Sequence, residues 1–101
     1  VLFTEGNENA ALKPIWANAP ATETPERTVP SVAFSPLNML PKELNYFAYE
    51  GSLTTPPCTE GVTFYILKSQ MQLSRAQLDA FPFKLNARPT QPLNGRKIYA
   101  N

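Results

Sequence analysis

Eleven of the 101 residues are proline, well above the usual share of roughly 5%, and most of them fall between Pro14 and Pro57. Each proline fixes φ and removes a backbone N–H, so helices of any length are excluded where prolines crowd together. What remains open to this stretch is loop, short helical turn and brief strand. The chain is therefore loop-rich and leans towards β structure, and a chain of 101 residues forms one small domain at most.

Periodicity fills in this frame. Val1-Leu2-Phe3 is an apolar, β-prone run that reads as a buried strand, and no Met precedes it, so the sequence reads as starting inside a larger unit. Gly6 to Asn9 reads as a turn supplying an N-cap. Leu12, Ile15 and Trp16 then fall on one face of a short helix that ends near Asn18, with Pro14 in its first turn. Ala21 to Pro30 is a solvated loop. Ser35 to Pro41 reads as one turn of helix or 3₁₀ structure with Leu37 and Leu40 pointing inward.

Asn45 to Tyr49 alternates as a strand does, and Glu50-Gly51-Ser52 reads as its turn. The strongest strand signal is Gly61 to Lys68, whose near-continuous β-branched and aromatic run predicts a central strand buried on both faces. Met71-Gln72-Leu73 leads into Ser74 and Gln77, the spacing of a capping box, and a helix from Arg75 to about Phe81 is stopped by Pro82. The tail from Asn86 is extended and turn-like, with a last strand at Lys97 to Ala100.

The chain has no histidine and one cysteine. It cannot by itself build a His or Cys zinc site, a Ser-His or Cys-His nucleophile pair, or a histidine base. Only four glycines are present, none spaced as a phosphate loop. Glu43, Glu50 and Glu60 could formally pair as acid and base, but glutamates in so small a domain are ordinarily solvated surface. The nine basic residues are scattered and the net charge is +1, which predicts neither a nucleic-acid partner nor an anionic membrane surface. No apolar run approaches the roughly 18 residues of a membrane span, and the start lacks a signal-peptide layout. Cys58 reads either as a small buried hydrophobe or as half of a disulfide to another segment.

The segment Tyr49-Glu-Gly-Ser-Leu-Thr-Thr-Pro-Pro-Cys-Thr-Glu-Gly-Val62 is the most unusual in composition. Consecutive prolines stiffen it and hold the hydroxyls and amides just before them in fixed directions. A rigid β-turn is the plain reading and a binding loop the sharper one.

Here the sequence resembles the α-class carbonic anhydrases. The run Gly51-Ser-Leu-Thr-Thr-Pro-Pro-Cys58 with Glu60-Gly-Val62, the tract Phe34 to Tyr46, and Asn86-Ala-Arg-Pro-Thr-Gln-Pro-Leu-Asn-Gly-Arg96 match that family in order and separation. Cys58 and the Trp16 region are more similar to its bacterial secreted branch. The resemblance covers essentially the whole chain and implies a β-dominated α+β fold: half of a large, mostly antiparallel central sheet with short peripheral helices. Residues 1–101 would then be the C-terminal portion of a single domain.

By the same resemblance, Thr54 is the gatekeeper threonine, accepting a hydrogen bond from zinc-bound hydroxide and donating one to a buried glutamate. Its backbone N–H would meet an oxygen of the substrate. Thr55 is a neighbour contacting bicarbonate and inhibitors. Leu53, Val62 and Phe64 form the apolar wall for carbon dioxide, with Phe64 standing where the family usually has tryptophan. Pro56-Pro57 would hold one cis bond, and Tyr49 and Arg88 would pack and pair beneath the site. Cys58 would be a half-cystine whose partner lies far upstream.

The zinc ligands, the buried glutamate and the proton-shuttle histidine belong to the family's upstream half, so the chain alone should be inactive. The resemblance accordingly implies zinc as cofactor, a second polypeptide or segment as partner, carbon dioxide and bicarbonate as substrates, sulfonamide inhibition and a periplasmic or secreted location. A homodimer of the completed enzyme is a further implication. A zinc-free relative that keeps the scaffold as a binding module is the alternative.

Overall fold

The computed structural model describes residues 1–84 and 86–101. Five strands and two short helices follow in chain order: β1 (Phe3–Glu5), α1 (Lys13–Trp16), β2 (Tyr46–Ser52), β3 (Glu60–Leu67), β4 (Met71–Leu73), α2 (Arg75–Ala80) and β5 (Tyr99–Ala100). They form two units, a parallel pair of β1 with β4 and a three-stranded antiparallel sheet in the order β3-β2-β5. Within the proline-rich stretch, the chain between α1 and β2 is loop apart from a 3₁₀ turn at Pro36–Met39.

The first unit holds the core. Asn9 caps a 3₁₀ turn over Ala10–Leu12 by accepting from the Ala11 amide at 3.1 Å, and α1 continues from it with proline in its first turn. Ser74 and Gln77 form the capping box of α2. Leu12 is 1% exposed and Leu73 6%, and these are the buried apolar side chains among the described residues. Trp16 lies over α2, its Nε1 donating to the Gln77 carbonyl at 2.7 Å and its ring 5.7 Å from that of Phe81. Burying a leucine fully is worth about 1.5–3 kcal/mol, so two such residues secure this corner and little beyond it.

The second unit positions the site. Pairing of β2 with β3 sets Tyr49 opposite Phe64 and Gly51 opposite Val62, so these four residues share one sheet face. The register shifts after Gly51, where Ser52 pairs with Glu60 and Gly61 is left as the extra residue. Gly61 has φ +86°, the left-handed conformation that a bulge of this kind takes from glycine. Space is not the reason for glycine here, because a Cβ at Gly61 would meet nothing within 4 Å.

Four expectations need correction. Glu50-Gly51-Ser52 is not a turn; it is the end of β2, kept in the ladder by its partners Thr63, Val62 and Glu60. The run Gly61 to Lys68 is not central, because β2 lies in the middle and β3 pairs on one side only among the described residues. Nor is the run buried on both faces, since Tyr65 on β3 is 60% exposed. Leu37, 73% exposed, and Leu40, 37% exposed, do not point into a core. Val1 and Leu2 are exposed, and the first strand begins at Phe3.

The Cα radius of gyration is 16.0 Å, against roughly 13 Å for a compact domain of this size. The difference reflects an elongated shape, with extents of 45 × 33 × 25 Å. No helix among the described residues is long and apolar enough to cross a membrane.

Candidate active site

The loop between β2 and β3, Leu53 to Thr59, is closed on itself at two levels. The Leu53 amide donates to the Thr59 carbonyl at 2.9 Å, and the Cys58 amide to the Thr55 carbonyl at 2.9 Å. The Pro56-Pro57 bond is cis, as the resemblance implies, and Cys58 takes the left-handed φ of 56°. Two prolines contribute no donors, so these two amides supply the closure. The result is a stiff turn with Thr54 and Thr55 exposed at its tip.

Beside the loop runs the tail, tied down by two arginines. Arg96 places its guanidinium among three carbonyls: Nη1 donates to Glu50 on β2 at 2.9 Å, Nη2 to Pro92 at 2.9 Å and Nε to Leu93 at 3.0 Å. The Asn94-Gly95 turn makes this geometry available, with φ of 48° and 79° and the Arg96 amide donating back to the Leu93 carbonyl at 2.9 Å. Arg88 donates to Ser52 Oγ at 3.1 Å and to Cys58 Sγ at 3.5 Å.

Loop, sheet end and tail enclose an open cleft of about 830 Å³, whose walls include Tyr49, Ser52, Thr54, Cys58, Phe64 and the stretch from Arg88 onward. The Tyr49 and Phe64 rings are stacked, 5.3 Å between centroids and 12° from parallel. A side chain at Gly51 would collide with them, since its Cβ would lie 2.9 Å from Phe64 Cε2. Of the residues expected to form the site, Thr54 and Phe64 therefore meet in one cleft. Val62 shares the face of Phe64 without lining the cleft, and Leu53 and Thr55 are exposed beside it.

Of the three glutamates that might have paired, Glu50 accepts from Thr63 Oγ1 at 2.7 Å across the ladder, which accounts for it structurally. Among the described residues no three His, Cys, Asp or Glu side chains gather closely enough to hold a metal ion. Ser52 and Arg96 were not singled out from the sequence. Their signal is faint: Arg88 and Arg96 are the charged residues of an otherwise neutral tail from Asn86 to Arg96.

Taken together, the sheet, the cis-proline loop at the end of its hairpin and the arginine-strapped tail define part of a large sheet-based scaffold with a cleft at one strand end. A profile of the eukaryotic-type carbonic anhydrases matches residues 1–101, and the chain belongs to that family. It is 46% identical to a carbonic anhydrase of Klebsiella pneumoniae and 40% identical to one of Neisseria gonorrhoeae, in each case over 97% of this chain but only 41% and 39% of those proteins. The chain thus spans about two fifths of the length of these curated relatives. Among solved structures, the α-carbonic anhydrase of Thermovibrio ammonificans in complex with the inhibitor sulfanilamide superposes with a TM-score of 0.87 at 40% identity. That match covers 97% of this chain and 44% of the other.

Proposed function

We propose that residues 1–101 are the C-terminal portion of a secreted or periplasmic, zinc-dependent carbonic anhydrase that interconverts carbon dioxide and bicarbonate. The observation that carries this reading is the position of Thr54: at the tip of a loop closed by its own backbone, on the same cleft as the aromatic wall of Phe64 and Tyr49, in a chain of this family.

The residues present do not fit zinc. With no histidine, one cysteine and no acidic cluster among the described residues, the metal must be held by residues outside this chain. Its partner is accordingly a second polypeptide or segment that carries the ligands and covers the exposed sheet. What this chain contributes is orientation. The Thr54 hydroxyl both donates and accepts, so it can aim an attacking oxygen, while its amide meets an oxygen of the substrate. Leu53, Val62 and Phe64 supply an apolar wall that holds carbon dioxide without competing for those hydrogen bonds, and Thr55 contacts bicarbonate. Sulfonamides are expected to inhibit through the same wall.

The test is stopped-flow carbon dioxide hydration by the zinc-loaded complete protein, beside the 101-residue chain alone. Hydration by the former and none above buffer by the latter is expected. A zinc-loaded complete protein with no hydration would sink the enzymatic reading and leave the scaffold as a binding module.

A further inference from the structure

The guanidinium of Arg88 bridges the two ends of the loop that bears Thr54. Nη2 donates to Ser52 Oγ at 3.1 Å on the β2 side, and Nη1 to Cys58 Sγ at 3.5 Å on the return side. Ser52 Oγ passes the constraint on, donating in turn to the carbonyl of Leu53 at 3.1 Å, directly before Thr54. The backbone closures described above fix the loop's own shape. They do not fix its tilt on the sheet, which needs a tie to something outside the loop. Arg88 lies 36 residues from Ser52 and 30 from Cys58 and is such a tie, and its own strap is anchored to β2 where Arg96 meets the Glu50 carbonyl.

We propose that Arg88 is a positioning residue for Thr54, holding the loop at a set angle to β2 through Ser52 and Cys58. The inference rests on the enzymatic reading above for its kinetic consequence and on the hydrogen bonds alone for its structural one. A guanidinium suits this role because its planar fork holds two acceptors at a fixed separation, which the single point charge of lysine cannot do. An error of about 1 Å in the placement of a reacting group can cost up to roughly 10²-fold in rate.

The experiment compares Arg88→Ala, Arg88→Lys, Ser52→Ala and the Ser52→Ala/Arg88→Ala double variant in the zinc-loaded complete protein. Both Arg88 variants are expected to lower kcat/KM for carbon dioxide hydration by about tenfold, with zinc content and the pH midpoint of the rate unchanged. The double variant should be no worse than Arg88→Ala, because the two residues act through one contact. Amide exchange at Leu53, Thr54, Thr55, Cys58 and Thr59 should quicken while exchange in β3 does not.

Full activity in Arg88→Lys would overturn the proposal in favour of charge alone. Additive losses, or exchange that rises equally in β3, would overturn it in favour of general destabilisation. If Arg88→Ala does not fold, Ser52→Ala alone must show the faster loop exchange and the slower rate; wild-type behaviour in both sinks the clamp. A wild-type protein that binds zinc without hydrating carbon dioxide refutes the enzymatic reading, and the exchange measurement then still decides the clamp.

Discussion

Asn9 and Gln77, 68 residues apart, exchange two buried hydrogen bonds: the Asn9 amide donates to Gln77 Oε1 at 2.9 Å, and Gln77 Nε2 donates to the Asn9 carbonyl at 2.8 Å. The same Oε1 accepts the Ser74 amide at 3.1 Å, so the side chain that caps α2 also joins it to the turn before α1. Gln77→Leu would leave the Asn9 and Ser74 amides without partners and the Asn9 carbonyl with only the Leu12 amide at 3.2 Å, at about 1–3 kcal/mol for each orphaned amide. A loss of about 2–4 kcal/mol is expected, read as a lower urea midpoint at unchanged m. An unchanged midpoint would mean that water replaces the side chain at no cost.

Gly51 makes a different kind of demand. Its hydrogen stands where a Cβ would press on Phe64 Cε2 at 2.9 Å, and the Phe64 ring is backed by Tyr49. Gly51→Ala is expected to cost about 1–3 kcal/mol as an overpacking substitution and to alter the near-ultraviolet circular dichroism from the displaced aromatic pair. If only stability falls and the aromatic signal is unchanged, the stack is not what glycine protects.

These two cases mark how far the sequence could be read. The capping box at Ser74 and Gln77, the proline in the first turn of α1, the strand runs and the stiff Thr54-Thr55-Pro56-Pro57 loop all announce themselves within a few residues, because capping, φ restriction and alternation are local. The reach of Gln77 to Asn9 and of Arg96 to the Glu50 carbonyl is not local, and no spacing rule encodes it. Glu50-Gly51-Ser52 has turn composition but ladder geometry, since cross-strand partners and the room needed by Phe64 override local preference. Gly61 to Lys68 reads as central because its residues suit burial on both faces, yet β3 pairs on one side only among the described residues. Family resemblance singled out Thr54 and Phe64, which the fold brings to one cleft; the strap that carries Arg88 and Arg96 needed the fold.

Thr54 is exposed on the cleft, and in the proposed reaction it acts through one hydroxyl and one amide. In the zinc-loaded complete protein, Thr54→Ala is expected to lower carbon dioxide hydration by roughly 10²-fold, the size of losing one oriented hydrogen bond. Thr54→Ser keeps a group that donates and accepts and should retain most of the rate. Equal rates in wild type and Thr54→Ala would remove this residue from the mechanism.

Cys58 is the single cysteine of the chain, half-buried, with Arg88 Nη1 3.5 Å from its sulfur. By its resemblance to the family it would be a half-cystine whose partner lies outside these residues. The proposed secreted or periplasmic setting is one in which disulfides form and persist. Digestion of the complete protein without reduction is therefore expected to release the Cys58 peptide linked to a second cysteine peptide from outside these residues. Reduction, or Cys58→Ser, should then cost about 2–5 kcal/mol of stability. A Cys58 that titrates as a free thiol in freshly isolated protein would refute the bridge, and with it the main residue-level support for an oxidising location.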